Sequence, residues 1–583
     1  MGAEQNPAAR RSLTLPAPLG LILALLGLTL FFVLTMDLRV RVYDEGLILT
    51  GANEVAAGAV PHRDFYANYG PANFYVLAGL FKLFGPGFLV ARLWDALLRA
   101  LIVATVFGLL RSRCSRPLAF ATTFLVLLLL CLRDYLTPNL PVLLCALVST
   151  WLVASEGGPR RLLAAGALTG LAALYRYDSG FFVMLSHFAG MAVLAFTQPG
   201  SEGRFSALVR RVFIYAAGTA AVFLPCAILL LAAGAGPGFF NDIVDYPLHF
   251  YAAMRSLPFP LRPSPEMIVY LPFLVPAALI AGLVLAREPL RAFASRARGQ
   301  FAFLLLFGLL TGALLIKGLV RVSLDHMMMA IVASLILLAL LVQKRVDWAR
   351  PLRLGIGLLA MAASLLVLLC AARVLPFTLR AADRMPIGAL LGLGRAPAAD
   401  GTGPEIANPA RATAPATGRA APGEFAPEAL CAADYVAART RPDERIFVGT
   451  MRHDKLFVNM IELYAAAERR PGTHWYHFDP GLQTRADIQG QMIADLARND
   501  VRWVIRDASF DGMAEPNASA VSSGVTLLDD HLARAFRPVA TFGPLSVWAR
   551  NDVPAPSADT GADCVAGKRA ASGPRGFAGR LLG

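Results

Sequence analysis

The chain has 583 residues, of which 56% are hydrophobic and only 16% are charged, and its mean hydropathy is +0.56. Soluble proteins carry about 25% charged residues, so this composition excludes a soluble multidomain enzyme, a disordered chain and a coiled coil. Apolar runs long enough to cross about 30 Å of hydrocarbon recur between residues 15 and 375. The sequence therefore predicts a polytopic membrane protein.

The apolar runs predict eleven transmembrane helices. They lie at about 15–36, 89–110, 117–133, 139–155, 162–177, 180–197, 212–233, 267–286, 301–317, 323–342 and 354–376. We do not expect the first to be a cleaved signal peptide, because residues 35–38 lack the small side chains of a cleavage site.

The net charge of +14 is concentrated on one predicted side of the membrane. With eleven spans, the N-terminus and the alternate loops contain eighteen Arg and Lys residues but only five Asp and Glu residues. This is the positive-inside pattern, and it predicts a cytoplasmic N-terminus and an extracytoplasmic C-terminal region. Because these loops contain nearly all of the basic excess, the charge does not indicate nucleic-acid binding.

Composition divides the chain into four parts. Residues 1–380 contain the predicted spans, and residues 395–427 are rich in Ala, Pro and Gly, as flexible linkers are. Residues 428–551 predict a small extracytoplasmic α/β domain, and residues 552–583 are expected to be disordered. The predicted elements of the small domain are a helix at 431–440, strands at 445–449 and 501–505, a helix at 486–499 and a hairpin at 536–550.

The seven cysteines divide between the two predicted regions. Cys431 and Cys564 lie on the predicted outer side, where an oxidising compartment permits a disulfide between them. The others lie in or beside spans, where a small apolar core residue is the simplest interpretation; they are Cys114, Cys131, Cys145, Cys226 and Cys370.

Two predicted outer loops, at 37–88 and 234–266, are much longer than the basic cytoplasmic loops. Within the first, residues 69–84 are apolar and aromatic but short for a full crossing. This pattern favours a helix lying in the membrane interface, with a re-entrant or buried helix as the alternative.

Three short motifs follow one another in the first outer loop. They are Asp44-Glu45, then Gly58, Pro61, Asp64 and Phe65, and then Gly70-Pro71. This order resembles the GT-C superfamily of polyprenyl-phosphate-sugar-dependent glycosyltransferases, and in particular its aminoarabinose-transferase and protein O-mannosyltransferase branches. The layout of residues 40–380 resembles that superfamily too, because it combines many spans with a long first outer loop and an appended outer domain.

The resemblance implies a membrane-embedded inverting glycosyltransferase that moves a hexose or pentose from a polyprenyl phosphate to an extracytoplasmic acceptor. It gives Asp44 the role of general base, with Glu45 beside it in the catalytic site. Transfer with inversion needs a carboxylate to accept the acceptor's proton and cations to hold the phosphate as its charge grows. Whether the acceptor is a lipid, a glycan or a protein of the cell envelope stays open, as does the sugar.

Cations at the predicted outer face are the candidates for binding the donor phosphate. Arg255, Lys317 and Arg321 lie near the later spans, and arginine gives two-pronged contacts to phosphate. Lys317 and Arg321 would share a face if the turn between them is helical. The plainer alternative is that Arg321 pairs with Asp325, which is also four residues away.

Other charged residues at this face receive weaker assignments. Arg133 and Asp134, between the third and fourth spans, are predicted to contact the acceptor or to orient Asp44. Asp134 is counted with Asp44 and Glu45 in the catalytic set, and Arg133 and Asp64 are assigned to the acceptor loop. Two groups are explained more simply as structure: the pair Arg176 and Asp178, and the helically spaced Arg92, Asp95 and Arg99.

Two other classes of protein fit charges at one membrane face. The alternative function is a transporter or flippase of a lipid-linked or anionic solute, although transporters usually carry repeats and charges near the middle of the bilayer. A non-catalytic scaffold is the third interpretation. We expect an inner (plasma) membrane location, no required cofactor, and a C-terminal domain that is accessory to catalysis. No metal-ligand spacing occurs, although some relatives use a divalent cation.

Overall fold

The computed structural model describes residues 17–36, 44–132, 136–197, 203–285, 294–295, 297–343, 350–380, 426–554 and 563–565. It is mainly helical up to residue 380 and contains a small mixed sheet after residue 426. This confirms the predicted fold class, a polytopic α-helical protein with a small C-terminal α/β part. The predicted linker and most of the predicted tail lie outside the described residues, so the four-part division stays a prediction.

The helices before the sheet follow one another closely. They are α1 (Ala17–Thr35), α2 (Asp44–Ala56), α3 (Ala72–Phe84), α4 (Phe88–Arg111), α5 (Arg116–Cys131), α6 (Asn139–Ala154), α7 (Pro159–Tyr175), α8 (Tyr177–Phe196), α9 (Arg204–Ala232), α10 (Gly236–Phe240), α11 (Ala252–Arg255), α12 (Leu271–Leu285), α13 (Arg298–Gly318), α14 (Leu324–Val342) and α15 (Arg350–Arg380). Between α10 and α11 the chain winds in wide π-type turns.

Each predicted span coincides with a helix. Among the described residues, seven helical stretches are long and apolar enough to cross a membrane; they are α4, α8, α9, α12 with the turn before it, α13, α14 and α15. The remaining predicted spans match α1, α5, α6 and α7, which have 16 to 19 residues and do not meet this test. The number of eleven crossings is therefore not confirmed.

Helix α14 forms the centre of the bundle. Its residues from Met327 to Leu341 are all buried, and they pack in one apolar cluster with side chains of α4, α6, α12 and α13. A helix that is apolar all round suits this central place. The start of α14 and the end of α13 are thereby held in fixed positions beside the first outer loop.

The aromatic helix predicted in the first outer loop is present as α3. It buries Phe74, Leu77 and Phe81 and leaves Leu83 and Phe84 exposed. One apolar side therefore packs on the protein, and the other side is open. This division fits a helix in the membrane interface, a placement that stays a prediction.

The C-terminal region forms a five-stranded sheet with the strand order β2-β1-β3-β5-β4. Its elements are α16 (Pro427–Ala437), β1 (Arg445–Thr450), α17 (Glu462–Ala466), β2 (Arg470–Pro471), α18 (Ala486–Arg498), β3 (Trp503–Asp507), α19 (Leu527–Ala535), β4 (Phe536–Phe542) and β5 (Leu545–Arg550). Strand β1 is parallel to β2 and β3, whereas β4 and β5 form an antiparallel hairpin. The helices, strands and hairpin predicted here are confirmed.

The sheet region packs directly on α2. The Tyr476 hydroxyl donates a hydrogen bond to the Leu47 carbonyl at 3.0 Å, and Gly46 lies against the backbone of Glu462. The structure also joins Cys431 to Cys564, which agrees with the predicted disulfide. The C-terminal region therefore rests on the same loop that carries the sequence motifs.

Candidate active site

Several helix ends converge where the first outer loop meets the sheet region. Asp44 begins α2, Arg176 lies between α7 and α8, Arg255 ends α11, and Lys317 lies in the last turn of α13. The charges of the three cations each interact with that of Asp44. The structure thus brings one carboxylate and cations from distant parts of the chain to the same place.

Asp44 is partly buried and accepts a hydrogen bond from the Tyr69 hydroxyl, with 2.6 Å between the oxygen atoms. Burial raises the pKa of the Asp44 carboxyl. The Tyr69 hydrogen bond lowers this pKa, the charge of Asp325 raises it, and the charges of Arg176 and Arg255 lower it; the net shift is upward. A carboxylate with a raised pKa is a stronger proton acceptor than an ordinary aspartate.

The structure explains the glycine of the third sequence motif, Gly70-Pro71, by a close contact between two backbone segments at Gly70. The Gly70 amide donates to the Tyr175 carbonyl at 3.0 Å. A Cβ atom on Gly70 would lie 2.2 Å from the Leu174 carbonyl oxygen, so a side chain there would clash with backbone. This approach brings the end of α7 beside the loop, and the Arg176 guanidinium lies 5.3 Å from the centre of the Tyr69 ring.

Arg176, Asp178 and Lys317 form a polar group next to Asp44. The Arg176 guanidinium makes two bonds to the Asp178 carboxylate, at 3.1 and 2.9 Å, and one to Asn139 Oδ1 at 3.1 Å. Lys317 Nζ lies 3.9 Å from Asp178 Oδ2. The predicted pairing of Arg176 with Asp178 is confirmed, and Lys317 contacts the same carboxylate.

Arg255 is buried at the end of α11, and its Nη2 donates to Asp479 Oδ1 of the sheet region at 2.9 Å. The charges in this part of the site also affect the pKa of Tyr251. Burial raises this pKa, and the charges of Arg255, Arg321 and Arg176 lower it. The charge of Asp479 raises it again. The charges of three arginines therefore act on this tyrosine. Arg255 is part of the same cationic group as Arg176.

Arg321 lies outside the helix that carries Lys317. Helix α13 ends at Gly318, and residue 321 forms a short extended bridge with Leu257. The expectation that Lys317 and Arg321 share a helical face is therefore wrong, because the chain leaves the helix between them. Among the described residues the ion-pair partner of Arg321 is Glu515, not the Asp325 of the alternative prediction.

Glu45 follows Asp44 in α2 and is fully buried among partners of its own. Its carboxylate pairs with Arg92 at 3.0 Å and accepts the Leu136 amide at 3.2 Å. Arg92, Asp95 and Arg99 were predicted to pair with one another, and this is only partly what the structure shows. Arg99 pairs with Asp95 at 2.6 Å, whereas Arg92 pairs with Glu45.

The remaining predicted site residues are Asp64, Arg133 and Asp134. Asp64 pairs with its neighbour Arg63 at 2.6 Å and accepts the Val60 amide at 2.7 Å, which closes a tight turn. Arg133 and Asp134 lie outside the described residues.

Within the described ranges, no group of three or more His, Cys, Asp and Glu side chains could hold a metal ion. The described side chains around Asp44 are mainly cations. Such a set attracts an anion more strongly than it attracts a second cation.

Comparison with known proteins agrees with this architecture. Residues 68–230 match the family model of dolichyl-phosphate-mannose-protein mannosyltransferases. The fold is similar to a crystal structure of ArnT from Cupriavidus metallidurans bound to undecaprenyl phosphate, with a TM-score of 0.53, 14% identity, and coverage of 93% of this chain and 100% of the other. For the apo state of that protein the TM-score is 0.52 and the identity 16%, with 92% and 98% covered. No curated protein matches the sequence.

Both comparisons lead to GT-C glycosyltransferases: the family model matches residues 68–230, and the similarity to ArnT concerns the fold. The predicted resemblance is thereby confirmed. The family match begins at residue 68, one position before Tyr69, and it includes Arg176 and Asp178.

Four residues of the group were not assigned a functional role from the sequence. Tyr69 stands in the third motif beside Gly70, so its position was a usable signal for it. Arg176 was interpreted only as one half of an ion pair. Asp479 and Glu515 carried no signal, because they lie more than 190 residues after their arginine partners.

Proposed function

We propose that this chain is a membrane-embedded inverting glycosyltransferase of the GT-C type that moves a sugar from a polyprenyl phosphate to an extracytoplasmic acceptor of the cell envelope. The observation that carries the proposal is Asp44, a carboxylate with a raised pKa that lies among Arg176, Arg255 and Lys317. This combination suits a reaction in which a proton leaves one reactant while negative charge grows on another. The likeness to a protein bound to undecaprenyl phosphate supports a polyprenyl phosphate as the donor carrier.

In the proposed reaction, the carboxylate of Asp44 accepts the proton of the acceptor as its oxygen or nitrogen attacks the anomeric carbon. The bond from that carbon to the phosphate oxygen breaks on the opposite face of the sugar, so the configuration inverts. Negative charge then grows on the phosphate. Lys317 and Arg255 would stabilise this charge, and Arg321 would add to the local positive field.

Replacement of Asp44 tests the proposal. The Asp44→Asn variant keeps the shape of the side chain and removes the base, so transfer should fall by about 10²–10⁴-fold. The measurement is sugar release from a polyprenyl-phosphate donor by the purified protein, with its melting temperature recorded in parallel. A matched control is Asp245→Asn, a carboxylate of the second outer loop that is 36% exposed and pairs at 3.1 Å with His249, which is itself 65% exposed. Transfer that survives in Asp44→Asn at an unchanged melting temperature contradicts the proposal.

The neighbouring Glu45 should respond differently. Because Glu45 is a buried charge partner of Arg92, the Glu45→Gln variant leaves a buried cation with one partner less, and such losses cost about 3–5 kcal/mol. We expect a lower melting temperature, and residual activity that tracks the folded fraction. The contrast between the two adjacent acids separates catalysis from folding.

The orientation of the chain in the membrane, with a cytoplasmic N-terminus, is a proposal that rests on the charges of the loops. The cytoplasmic N-terminus and the inner (plasma) membrane location would put Asp44 at the extracytoplasmic face, where an acceptor from the aqueous side meets a lipid-held donor. A reporter fused after Asn551 should be active only outside the cytoplasm.

A further inference from the structure

The sheet region reaches into the cationic group of the site through two carboxylates. Asp479 Oδ1 accepts from Arg255 Nη2 at 2.9 Å. Glu515 accepts from both terminal nitrogens of Arg321, one of them at 2.7 Å. The side chains in these two pairs are at most 15% exposed. Ion pairs with so little solvent around them are held in fixed geometry and are weakly screened by salt.

The two pairs are linked, and both act on Arg255. Arg321 Nη1 also donates to the Arg255 carbonyl at 2.7 Å. Asn517 donates to the Ser256 carbonyl at 2.9 Å and to Glu515 at 3.1 Å. Glu515 therefore fixes the backbone that carries Arg255 through Arg321, while Asp479 fixes the guanidinium itself.

Asp479 is in turn fixed by the first outer loop. Its Oδ2 accepts the Tyr66 hydroxyl at 3.0 Å and Asn68 Nδ2 at 3.3 Å. Its backbone amide donates to Gln483 Oε1 at 2.7 Å. The carboxylate is thus oriented by groups on two sides and holds Arg255 from a rigid support, which is the arrangement that preorganised sites need.

We propose that Asp479 and Glu515 are positioning residues of the active site, through which the C-terminal region holds Arg255 and Arg321 in place for the donor phosphate. This rests on the proposed function. The proposal also changes the role expected for Arg321. Because Glu515 occupies both of its terminal nitrogens, Arg321 acts through its charge and by supporting the backbone of Arg255. The proposal further makes the C-terminal region necessary for donor binding, not merely a cover for the site.

A second ion pair between the two regions provides a matched control. Arg470 in β2 makes two bonds to Glu54 in α2, at 2.8 and 2.6 Å. Glu54 stands ten residues after Asp44 in one helix, which places it about 15 Å away along the axis. Breaking this pair weakens the contact between the sheet region and the helical part without changing a partner of Arg255 or Arg321.

The experiment compares Glu515→Gln, Asp479→Asn and Glu54→Gln in the purified full chain. The probe is undecaprenyl phosphate in detergent micelles, with inorganic phosphate as the headgroup alone, and the readouts are its dissociation constant and the melting temperature. We expect Glu515→Gln and Asp479→Asn to weaken undecaprenyl phosphate binding by about tenfold or more, the loss of one well-placed charge-assisted contact. Glu54→Gln should leave the affinity unchanged within about twofold, although it lowers the melting temperature. Glu515→Asp, which keeps the charge on a shorter arm, should recover part of the affinity and serves as the test if Glu515→Gln does not fold.

Two results would overturn the inference. Equal losses in Glu515→Gln and Glu54→Gln would mean that Glu515 only docks the C-terminal region. Tighter binding in Glu515→Gln would mean that the acid competes with the phosphate for the arginines. If instead the unmodified chain binds no undecaprenyl phosphate, the proposed function itself fails, and this outcome is distinct from both.

Discussion

At the scale of single residues, the Tyr69 hydroxyl acts directly on the proposed base. Its hydrogen bond at 2.6 Å to Asp44 stabilises the ionised carboxylate and lowers the Asp44 pKa against the upward effect of burial. Arg176, Arg255 and Lys317 favour the ionised form from other sides, whereas Asp325 opposes it. The base works only when ionised, so the pH at which activity appears depends on this balance.

The Tyr69→Phe variant removes one stabilising partner of the carboxylate. The Asp44 pKa should rise, and the acidic limb of the pH–rate profile should move to higher pH. A hydrogen bond of this kind contributes about 0.5–1.5 kcal/mol, so the rate at acidic pH should fall several-fold while the rate at alkaline pH changes less. Tyr75→Phe, at a position 42% exposed on α3, is the control. A loss that is uniform across pH would show that Tyr69 is only structural.

The sequence singled out Asp44 as the candidate base but did not predict the side chains around it. Asp44 was found because it stands in an ordered motif just after a span. The partner of Glu45 is Arg92, which is 47 residues away, and no local spacing identifies such a pair. The same holds for the carboxylates of Asp479 and Glu515, whose roles depend on how the sheet region docks.

At the scale of elements, the contact between the first outer loop and the end of α7 depends on Gly70. A Gly70→Ala change would force its methyl group onto the Leu174 carbonyl. Overpacking of this kind costs about 1–3 kcal/mol, and here it would also push the end of α7, with Arg176, away from Tyr69. We expect lower thermal stability together with a loss of transfer larger than the unfolded fraction explains.

The control for Gly70→Ala lies in the next helix. Gly79 in α3 has no atom within 4 Å of the position that a Cβ would take. Gly79→Ala should be neutral or stabilising by up to about 1 kcal/mol, since alanine is the better helix former. If Gly70→Ala and Gly79→Ala have the same stability and activity, the close backbone contact at Gly70 is not the reason for a glycine in the motif.

Hydropathy was sufficient to place the helices, because each predicted span needs only an apolar run. It could not predict the π-type turns between α10 and α11, which present Arg255 to the site. It also could not predict that α13 ends at Gly318, because residues 319–322 continue the apolar pattern apart from Arg321. In the structure Tyr246 of these turns packs with Phe478 and Leu482 of the sheet region, and Arg321 after α13 pairs with Glu515; local sequence does not reveal such distant contacts.

At the scale of the whole molecule, the sheet region is joined to the helical part by ion pairs as well as by apolar contacts. Apolar side chains from α2, α3, α16 and β5 belong to one buried cluster. The pairs formed by Glu54, Asp479 and Glu515 lie around it. The docked sheet region therefore supplies both part of the apolar cluster and the carboxylate partners of Arg255 and Arg321.

The disulfide tests the proposed direction of the whole chain in the membrane. Disulfides persist in oxidising compartments and are rare in the cytosol, so formation of the Cys431–Cys564 bond in the cell would support the outward-facing C-terminal region that the loop charges predict. Protein purified with thiols blocked should yield, on non-reducing digestion, one cross-linked peptide pair that contains both cysteines. Because the bond closes a loop with a sequence separation of 133, the Cys431→Ser variant should lose about 2–4 kcal/mol of stability. If both thiols are instead alkylated before reduction, the C-terminal region faces the reducing side, and Asp44 cannot meet an extracytoplasmic acceptor.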